Sequence, residues 1–342
     1  MKKYTKLLFA LSCFACFSQE KSIDEAMYVN IGGIEQWVTI QGDDTENPVV
    51  LFVHGGPGST MSQFENSMFK GWEKEFVLVN WDQRGAGRTY GKNAPSENIE
   101  EFWMENPLTV ELMAEDGIAL TKYLLKYLNK EKIIVVGTSW GSILGTKMVH
   151  KNPELFQAYV GHSQFVNFSD NISAAYEKVQ ELAQKENDTE NLDMLNAIGP
   201  PPYESAKTLG QLLRVIKKYE AKNSAAPPNG WFNVASEYDN EEDAKHRYEG
   251  DDYSFIHFAG HKKLNIASMA AAIDFNTNAT HFEIPVYYVQ GEEDILTSKE
   301  VSKPYFEKIE APKKDYFLIP NAAHGFNEAV VDKLYQILTK HL

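Results

Sequence analysis

One short stretch restricts the possible folds of this chain more than any other. Residues 133–136 are four consecutive β-branched residues, the pattern of a strand that is buried on both faces. The pattern changes at Gly137-Thr138-Ser139-Trp140-Gly141, and residues 142–151 have helical spacing that ends before Asn152-Pro153. We therefore predict a buried parallel strand that turns tightly into a helix.

The same alternation of strand and helix continues along most of the chain. An alternating segment at 27–40, with Gly32-Gly33 at its centre, predicts an antiparallel hairpin at the start. Together these segments predict an α/β fold with a mostly parallel, doubly wound sheet that is covered by helices on both faces. The predicted strands are 49–53, 76–81, 133–136, 158–161, 284–290 and 316–319, and the clearest predicted helices are 109–128, 142–151 and 328–341.

The middle of the chain has a different pattern. Residues 165–281 show helical periodicity, two Pro- and Gly-containing breaks and no strong strand signal. We predict that 27–164 and 282–342 form the core and that 165–281 form an inserted helical cap. The acidic run at 237–252 is predicted to be a solvated helix face without a specific electrostatic role.

Composition excludes some classes of partner. The chain has 342 residues, 43% of them hydrophobic, which is enough for a sizeable core. Its formal net charge is -15, so long-range repulsion opposes binding to nucleic-acid phosphates or to an anionic membrane surface. A peptide or another small molecule is the better partner, and a cationic one is favoured.

The first residues resemble a targeting segment. Three lysines within the first six residues precede an apolar run at 7–17, which is too short to span a bilayer and has the size of a secretory h-region. We predict a signal peptide at 1–18 and a secreted or periplasmic mature protein. Lipid anchoring at Cys16 is an alternative, although Cys13 occupies the position where lipoprotein signals have an aliphatic residue.

Ser139 lies where the predicted strand stops. A nucleophilic serine has to be held in a strained turn that lifts its Oγ clear of the sheet, and glycines two residues to either side remove Cβ atoms that would collide. The helix that follows directs its first amides towards a developing oxyanion. We predict that Ser139 is a catalytic nucleophile rather than the buried serine of an ordinary turn.

A serine hydroxyl needs a base and an acid that orients the base. In this type of fold the chain order is Ser, acid, His, which selects His324 after the last strand and Asp294 after the strand at 284–290. Glu292 and Glu293 remain competitors for the acid. The histidines that are less suited by position, or that are interpreted as structural, are His54, His150, His162, His257, His261 and His281.

The loop His54-Gly55-Gly56-Pro57-Gly58 follows the strand at 49–53. Its glycines let backbone N–H groups approach an oxyanion closely, so we predict an oxyanion hole made of the amides of Gly56 and Trp140. The loop lacks the Lys-Ser/Thr ending of a P-loop and the spacing of a dinucleotide site. No metal-binding motif occurs, and neither a metal nor a cofactor is expected.

These motifs together resemble the proline iminopeptidase (prolyl aminopeptidase) group of the α/β-hydrolases. The resemblance begins near residue 28 and covers most of the chain. It implies a triad of Ser139, Asp294 and His324, with Gly56 and Trp140 at the oxyanion, and a bracing role for the arginines at 84 and 88. The motifs that carry it are His54-Gly-Gly-Pro-Gly58, Asp82-Gln-Arg-Gly-Ala-Gly-Arg88, Gly-Thr-Ser-Trp-Gly141, Asp294 and Ala-His-Gly325.

The sequence departs from the group in three places. Thr138 replaces the second glycine of the usual G-G-S-W-G, and Thr89 follows Arg88 where serine is common. The W-x-x-W-E stretch, whose glutamate helps to hold the substrate's amino group in such peptidases, is not found in this sequence, where Trp231 stands alone. The substrate-binding carboxylates stay unassigned, and proline specificity stays open.

The predicted function is that of a serine hydrolase with an acyl-enzyme mechanism, which releases N-terminal proline or similar residues from short peptides. An esterase or amidase of the same fold that acts on a small uncharged substrate is the alternative, followed by a binding protein without catalysis. The expected partners are a short peptide or a small amide or ester, with no nucleic acid and no membrane span.

Overall fold

The computed structural model describes residues 21–97, 99–203 and 205–341. The predicted signal peptide at 1–18, with Cys16, lies outside these residues. No helix in the described part of the chain is both long enough and apolar enough to span a membrane.

Eight strands form one sheet in the order β1-β2-β4-β3-β5-β6-β7-β8. The β1–β2 and β2–β4 pairs are antiparallel, and all other neighbouring pairs are parallel. The predicted hairpin and mostly parallel sheet are thus confirmed. The strands are β1 Ile23–Ile31, β2 Ile34–Gly42, β3 Val49–Val53, β4 Val77–Trp81, β5 Ile133–Thr138, β6 Phe156–His162, β7 Val286–Gly291 and β8 Lys314–Ile319.

Helices cover the sheet, and the three helices predicted most clearly are present with small shifts at their ends. These three are α4, α5 and α12. The α-helices are α1 Glu65–Met68, α2 Gly87–Asn93, α3 Ile99–Glu105, α4 Val110–Tyr127, α5 Trp140–Lys151, α6 Phe168–Glu186, α7 Thr189–Ile198, α8 Ala206–Asn223, α9 Glu241–Ala259, α10 Phe275–Asn278, α11 Lys299–Lys308 and α12 Glu328–Lys340.

The strand order reverses between β3 and β5. Because β3 pairs with β4 on one side and with β5 on the other, the carboxyl ends of β3 and β5 border a crevice of the kind in which α/β proteins bind ligands. The glycine loop at 54–58 follows β3, and Ser139 follows β5. The topology therefore brings two separate predicted motifs to one edge of the sheet.

Strand β5 is buried along its whole length. Val135 belongs to an apolar layer that includes Ile143 of α5, whereas Val136 belongs to the opposite layer with Leu334 of α12. Full burial of such a side chain contributes roughly 1.5–3 kcal/mol to stability. This two-sided burial explains why the strand sequence is continuously apolar rather than alternating.

Residues 163–285, here called the insert, connect β6 to β7 and contain α6 to α10. Apart from isolated bridges, the described residues of the insert add no strand to the sheet. Ser254 of α9 donates a hydrogen bond to the Gly85 carbonyl at 2.8 Å, so α9 packs on the segment that leads into α2. The division of the chain into core and cap domains remains a prediction.

The acidic run at 237–252 is not simply a solvated face, and that prediction is wrong at Asp243. This side chain is buried, and its Oδ2 lies 2.7 Å from an Nη of Arg88. The Arg88 guanidinium also lies over the rings of Trp37 and Tyr238. Helix α9 packs against α2 at this point, so the Asp243 carboxylate is buried and forms an ion pair with Arg88.

Candidate active site

Ser139 connects β5 directly to α5. Its φ of 52° lies in the left-handed region, which is strained for a residue with a side chain. A Cβ on Gly141 would lie 1.9 Å from the Val53 carbonyl oxygen, and one on Gly137 would lie 2.5 Å from the Gly141 carbonyl oxygen. Only glycine fits at both positions, and the tight turn has the form expected for a raised serine.

Three predicted residues meet at this turn. The Nε2 atom of His324 lies 2.8 Å from the Oγ of Ser139, and its Nδ1 lies 3.2 Å from each carboxylate oxygen of Asp294. His324 follows β8 and Asp294 follows β7, so both loops leave the same edge of the sheet. Among the described residues, Asp294 is the carboxylate that contacts His324, while Glu292 faces Lys299 at 3.6 Å.

The Asp294 carboxylate is buried and well supplied with donors. The Thr297 backbone N–H donates to Oδ1 at 2.8 Å, and the Thr297 hydroxyl donates to Oδ2 at 2.7 Å. Burial alone would raise the pKa of Asp294, but His324 and these donors outweigh burial and hold the pKa well below its usual range. The group is therefore an ionised carboxylate that faces the imidazole.

The pKa of His324 is shifted in the direction opposite to that of Asp294. Burial alone would lower its pKa, but the Asp294 charge and hydrogen bond outweigh burial and raise the pKa above the ordinary 6.5. Below that pKa the ring is an imidazolium and cannot accept the Ser139 proton, whereas above it the ring is a neutral base.

The pH dependence of hydrolysis tests this arrangement. We expect kcat/KM for a neutral ester to fall as the pH drops through the pKa of His324, with a midpoint above 6.5. The measurement is a rate profile between about pH 5 and 9. The pKa of Glu220, a buried residue of α8, is raised by burial to about 7, so the control is Glu220→Gln, which should keep the acid limb with a lower midpoint because the Glu220 charge helps to raise the pKa of His324. A limb with its midpoint below 6.5 would contradict the assignment.

The predicted oxyanion residues lie around Ser139. Gly55 and Gly56 line the cavity next to it, and a Cβ on Gly55 would lie 3.2 Å from the Ser139 Cβ. Trp140 is the first residue of α5, which places its amide at a helix start. Both positions allow an amide to face an oxyanion, and their role remains a prediction.

The ring of Trp140 has a separate, structural role. Its indole N–H donates to the Gln83 side chain at 3.0 Å, and the Gln83 amide donates to the His54 carbonyl at 2.8 Å. The Gln83 backbone N–H also donates to Nε2 of His54, and burial lowers the pKa of this histidine to about 4. This chain of bonds ties the segment 82–88 to the glycine loop, with His54 as a neutral acceptor.

Thr138 also has a clear structural partner. Its hydroxyl lies 2.8 Å from Nδ1 of His162, a fully buried histidine whose pKa burial lowers to about 3. The next residue, Ser163, donates to the His324 carbonyl at 3.1 Å. Thr138, which departs from the family pattern, thus forms a hydrogen bond with the buried His162 ring beneath the His324 loop. A glycine has no side chain to form this bond.

The site opens into a cavity of about 580 Å³ between the sheet edge and the insert. Another cavity, of about 660 Å³, has neither Ser139 nor His324 in its wall, so we assign the substrate to the first. The wall of the first is largely apolar, with a few polar groups. The apolar lining includes Met61, Phe64, Met68, Phe232, Phe255 and Phe326, and the charged lining residues besides His324 are Arg214, Lys217 and Asp251.

Asp251 of α9 supplies the carboxylate in this wall. Its Oδ1 accepts a hydrogen bond from the Ser59 hydroxyl at 3.0 Å. Partial loss of hydration raises the pKa of Asp251, and the charge of Lys217 opposes that shift. The side chain is still open to solvent through the cavity, so it is available to a bound cation.

Glu220 is a second carboxylate close to the site. It is buried on α8, and its Oε1 accepts the backbone N–H groups of Ile295 at 2.8 Å and Leu296 at 3.3 Å, directly after Asp294. Burial, helped by the Asp294 charge, raises its pKa to about 7. Glu220 thus fastens the Asp294 loop to the insert.

A sequence signal for Glu220 exists, but it is weak. Tyr219 precedes it and Ile216 lies three residues before the tyrosine, which is the spacing of W-x-x-W-E with both tryptophans replaced. A search that requires tryptophan overlooks it. In the described part of the chain, no group of three or more His, Cys, Asp or Glu side chains is arranged to hold a metal ion.

Known proteins resemble this chain in sequence and in structure. It is 28% identical to a probable aminopeptidase, YbaC, of Bacillus subtilis over 312 residues, which is 90% of this chain and 92% of that protein. It is 26% identical to a proline iminopeptidase of Clostridioides difficile over 200 residues, which is 56% of this chain and 60% of that protein.

A crystal structure of a proline iminopeptidase from Mycobacterium smegmatis superposes with a TM-score of 0.64 at 18% identity, covering 93% of this chain and 98% of the other, which supports the fold. The family model described as the alpha/beta hydrolase fold matches residues 48–328, the stretch that holds the glycine loop, Ser139, Asp294 and His324. The chain belongs to the α/β-hydrolase fold family, as an enzyme that resembles the proline iminopeptidases.

Proposed function

We propose that the protein is a serine aminopeptidase that releases N-terminal residues, proline among them, from short peptides. The observation that carries this proposal is the 2.8 Å contact between His324 and the Ser139 Oγ at the wall of a cavity that also holds the Asp251 carboxylate. The names of the relatives, probable aminopeptidase and proline iminopeptidase, support a peptide substrate.

The proposed reaction begins at the Ser139 Oγ. His324 Nε2 accepts its proton as the oxygen attacks the carbonyl carbon of the first residue, and the amides of Gly56 and Trp140 stabilise the oxyanion. His324 then donates this proton to the leaving amine as the C–N bond breaks, and the acyl-enzyme remains. Water activated by His324 cleaves the ester and frees the first residue, while Asp294 stays ionised throughout.

Asp251 is the proposed partner of the substrate's ammonium group. A carboxylate that opens into a mostly apolar cavity forms a strong charge-assisted hydrogen bond with an ammonium. The surrounding aromatic and methionine side chains suit a hydrophobic first residue such as proline. Above its pKa of about 7, Glu220, behind the Asp294 loop, adds negative potential on the same side of the site.

Comparison of free and blocked substrates tests the proposal. We expect a prolyl anilide with a free amine to be hydrolysed on the order of 100-fold faster than its N-acetyl derivative, because acetylation removes the charge that faces Asp251. The Asp251→Asn variant should lose most of this preference, while Asp252→Asn, on the adjacent residue of α9 and outside the cavity lining, should keep it. Equal rates on both substrates in the wild type would contradict an aminopeptidase.

The alternative is an esterase or amidase of the same fold. The apolar cavity wall favours it, because Asp251 is the one carboxylate among the lining residues and the other surfaces suit an uncharged acyl group. Hydrolysis of a short-chain ester with no turnover of any free-amine anilide would support this alternative.

We also propose that the protein is secreted or periplasmic. The three N-terminal lysines and the apolar run at 7–17 support this location. Mass spectrometry of the protein isolated from its source should find a mature N-terminus at Gln19 in the cleaved form, or at a lipidated Cys16 in the anchored form. A mature chain that starts at Met1 would contradict both.

A further inference from the structure

Two cationic side chains share the cavity wall with the reacting serine. Arg214 and Lys217 lie three residues apart on α8, so they project from the same helix face, and both line the cavity that holds Ser139 and His324. Both are solvent-exposed. The positive charge of Lys217 partly opposes the rise in pKa of Asp251 and of His324, so this ammonium contributes to the electrostatics of the site.

The other basic residues near the C-terminal end of α8 are paired. Lys218 lies 2.8 Å from Asp188, and Lys222 lies 2.7 Å from Glu186. By contrast, the ion pairs within 4 Å found among the described residues include neither Arg214 nor Lys217. Within the described ranges, Arg214 and Lys217 therefore have no carboxylate at ion-pair distance, although both face the cavity.

This arrangement runs against the charge of the whole molecule. The chain has 48 acidic and 33 basic residues, so carboxylates are abundant, yet the cavity lining holds two permanent cations and one carboxylate. The local potential at α8 therefore favours an anionic group. A guanidinium suits a carboxylate in particular, because its planar N–H groups match the two oxygens.

We propose that Arg214 and Lys217 bind the free C-terminal carboxylate of the substrate, and that the preferred substrates are peptides of two or three residues. The inference rests on the proposed aminopeptidase function. The ammonium end of such a zwitterion faces Asp251 and its carboxylate faces α8, with the scissile carbonyl at Ser139 between them. A cavity of about 580 Å³ has the volume of a site for a small molecule.

The carboxylate belongs to the leaving peptide and not to the acyl group. Binding of this carboxylate therefore accelerates formation of the acyl-enzyme. The later hydrolysis of the acyl-enzyme does not depend on the carboxylate, because the leaving peptide has already departed. Since both cations are exposed, each contact is partly screened by solvent and salt, and a moderate preference is expected rather than an absolute one.

The test compares a dipeptide and a tripeptide as free acids with the same peptides as C-terminal amides. We expect kcat/KM to be about 10-fold higher for the free acids in low salt, and the ratio to shrink in high salt. The double variant Arg214→Gln/Lys217→Gln should bring the ratio of kcat/KM for free acids to that for amides close to one, because any effect of the lost charges on His324 acts on both substrates alike. Lys207→Gln, an exposed change on the same helix and outside the cavity lining, should behave like the wild type.

Three results would overturn the proposal, and they do not all have the same meaning. Equal hydrolysis of acids and amides by the wild type, or an equal loss of both in the double variant, would refute carboxylate recognition alone. Hydrolysis of esters with no turnover of any free-amine peptide would refute the aminopeptidase function and carboxylate recognition with it.

Discussion

Replacing Ser139 with alanine is expected to lower kcat by a factor on the order of 10⁶ without unfolding the protein. The Oγ that lies 2.8 Å from His324 is the atom that forms the acyl-enzyme, and no acyl-enzyme can form without it. The turn already accommodates a Cβ at this position, so alanine removes one oxygen and leaves the backbone as it is.

Two measurements check this prediction. Hydrolysis of a prolyl anilide should be lost, and a fluorophosphonate probe should label the wild type but not Ser139→Ala. The exposed Ser236 provides a control, since Ser236→Ala should be labelled like the wild type. Thermal unfolding of all three proteins should coincide within a few degrees. Full activity in Ser139→Ala would refute the mechanism, and a wild type that the probe does not label would favour a binding protein without catalysis.

Replacing Asp294 with asparagine is expected to lower kcat/KM by a factor on the order of 10⁴. The buried carboxylate stabilises the imidazolium that forms as His324 accepts the proton, and a neutral amide cannot do so. The side-chain NH2 of an asparagine would also face Thr297 or His324. These groups donate hydrogen bonds to the Asp294 carboxylate, so two donors would then face each other. The wrong histidine tautomer would then be favoured.

The competing acids provide matched controls for this prediction. Glu292→Gln and Glu293→Gln remove the same charge from the same loop, but Glu292 faces Lys299 and not His324. Both variants should stay within about twofold of the wild type, as is usual for surface changes away from the chemistry. A loss in either control as large as in Asp294→Asn would transfer the role of the acid to that glutamate.

Much of the core could be predicted from the sequence. The predicted strand at 49–53 coincides with β3, and the predicted hairpin is present with longer strands. Errors of two residues occur where a turn intervenes. Helix α5, for example, begins at Trp140 and not at 142, because the strained Ser139 lets the helix start immediately.

The insert was much less accessible to prediction. Helical periodicity indicates that α8 and α9 are helices, but it does not say which faces meet the sheet edge. The buried Asp243 illustrates this, because an acidic run predicts a solvated surface until a partner such as Arg88 is packed against it. Glu220 illustrates it too, since its role depends on the backbone after Asp294, more than 70 residues away along the chain.

The sequence by itself determined that the sheet is mostly parallel with helices on both faces. It also determined the tight turn at Ser139 and the candidate positions of Asp294 and His324. These follow from local causes, namely apolar periodicity, the space that only glycine leaves and the ends of parallel strands. Only the tertiary structure decided which charges share the cavity with Ser139. Arg214, Lys217 and Asp251 meet there because α8 and α9 pack over one edge of the sheet, and the orientation of these helices is set by contacts between segments that are distant in the chain.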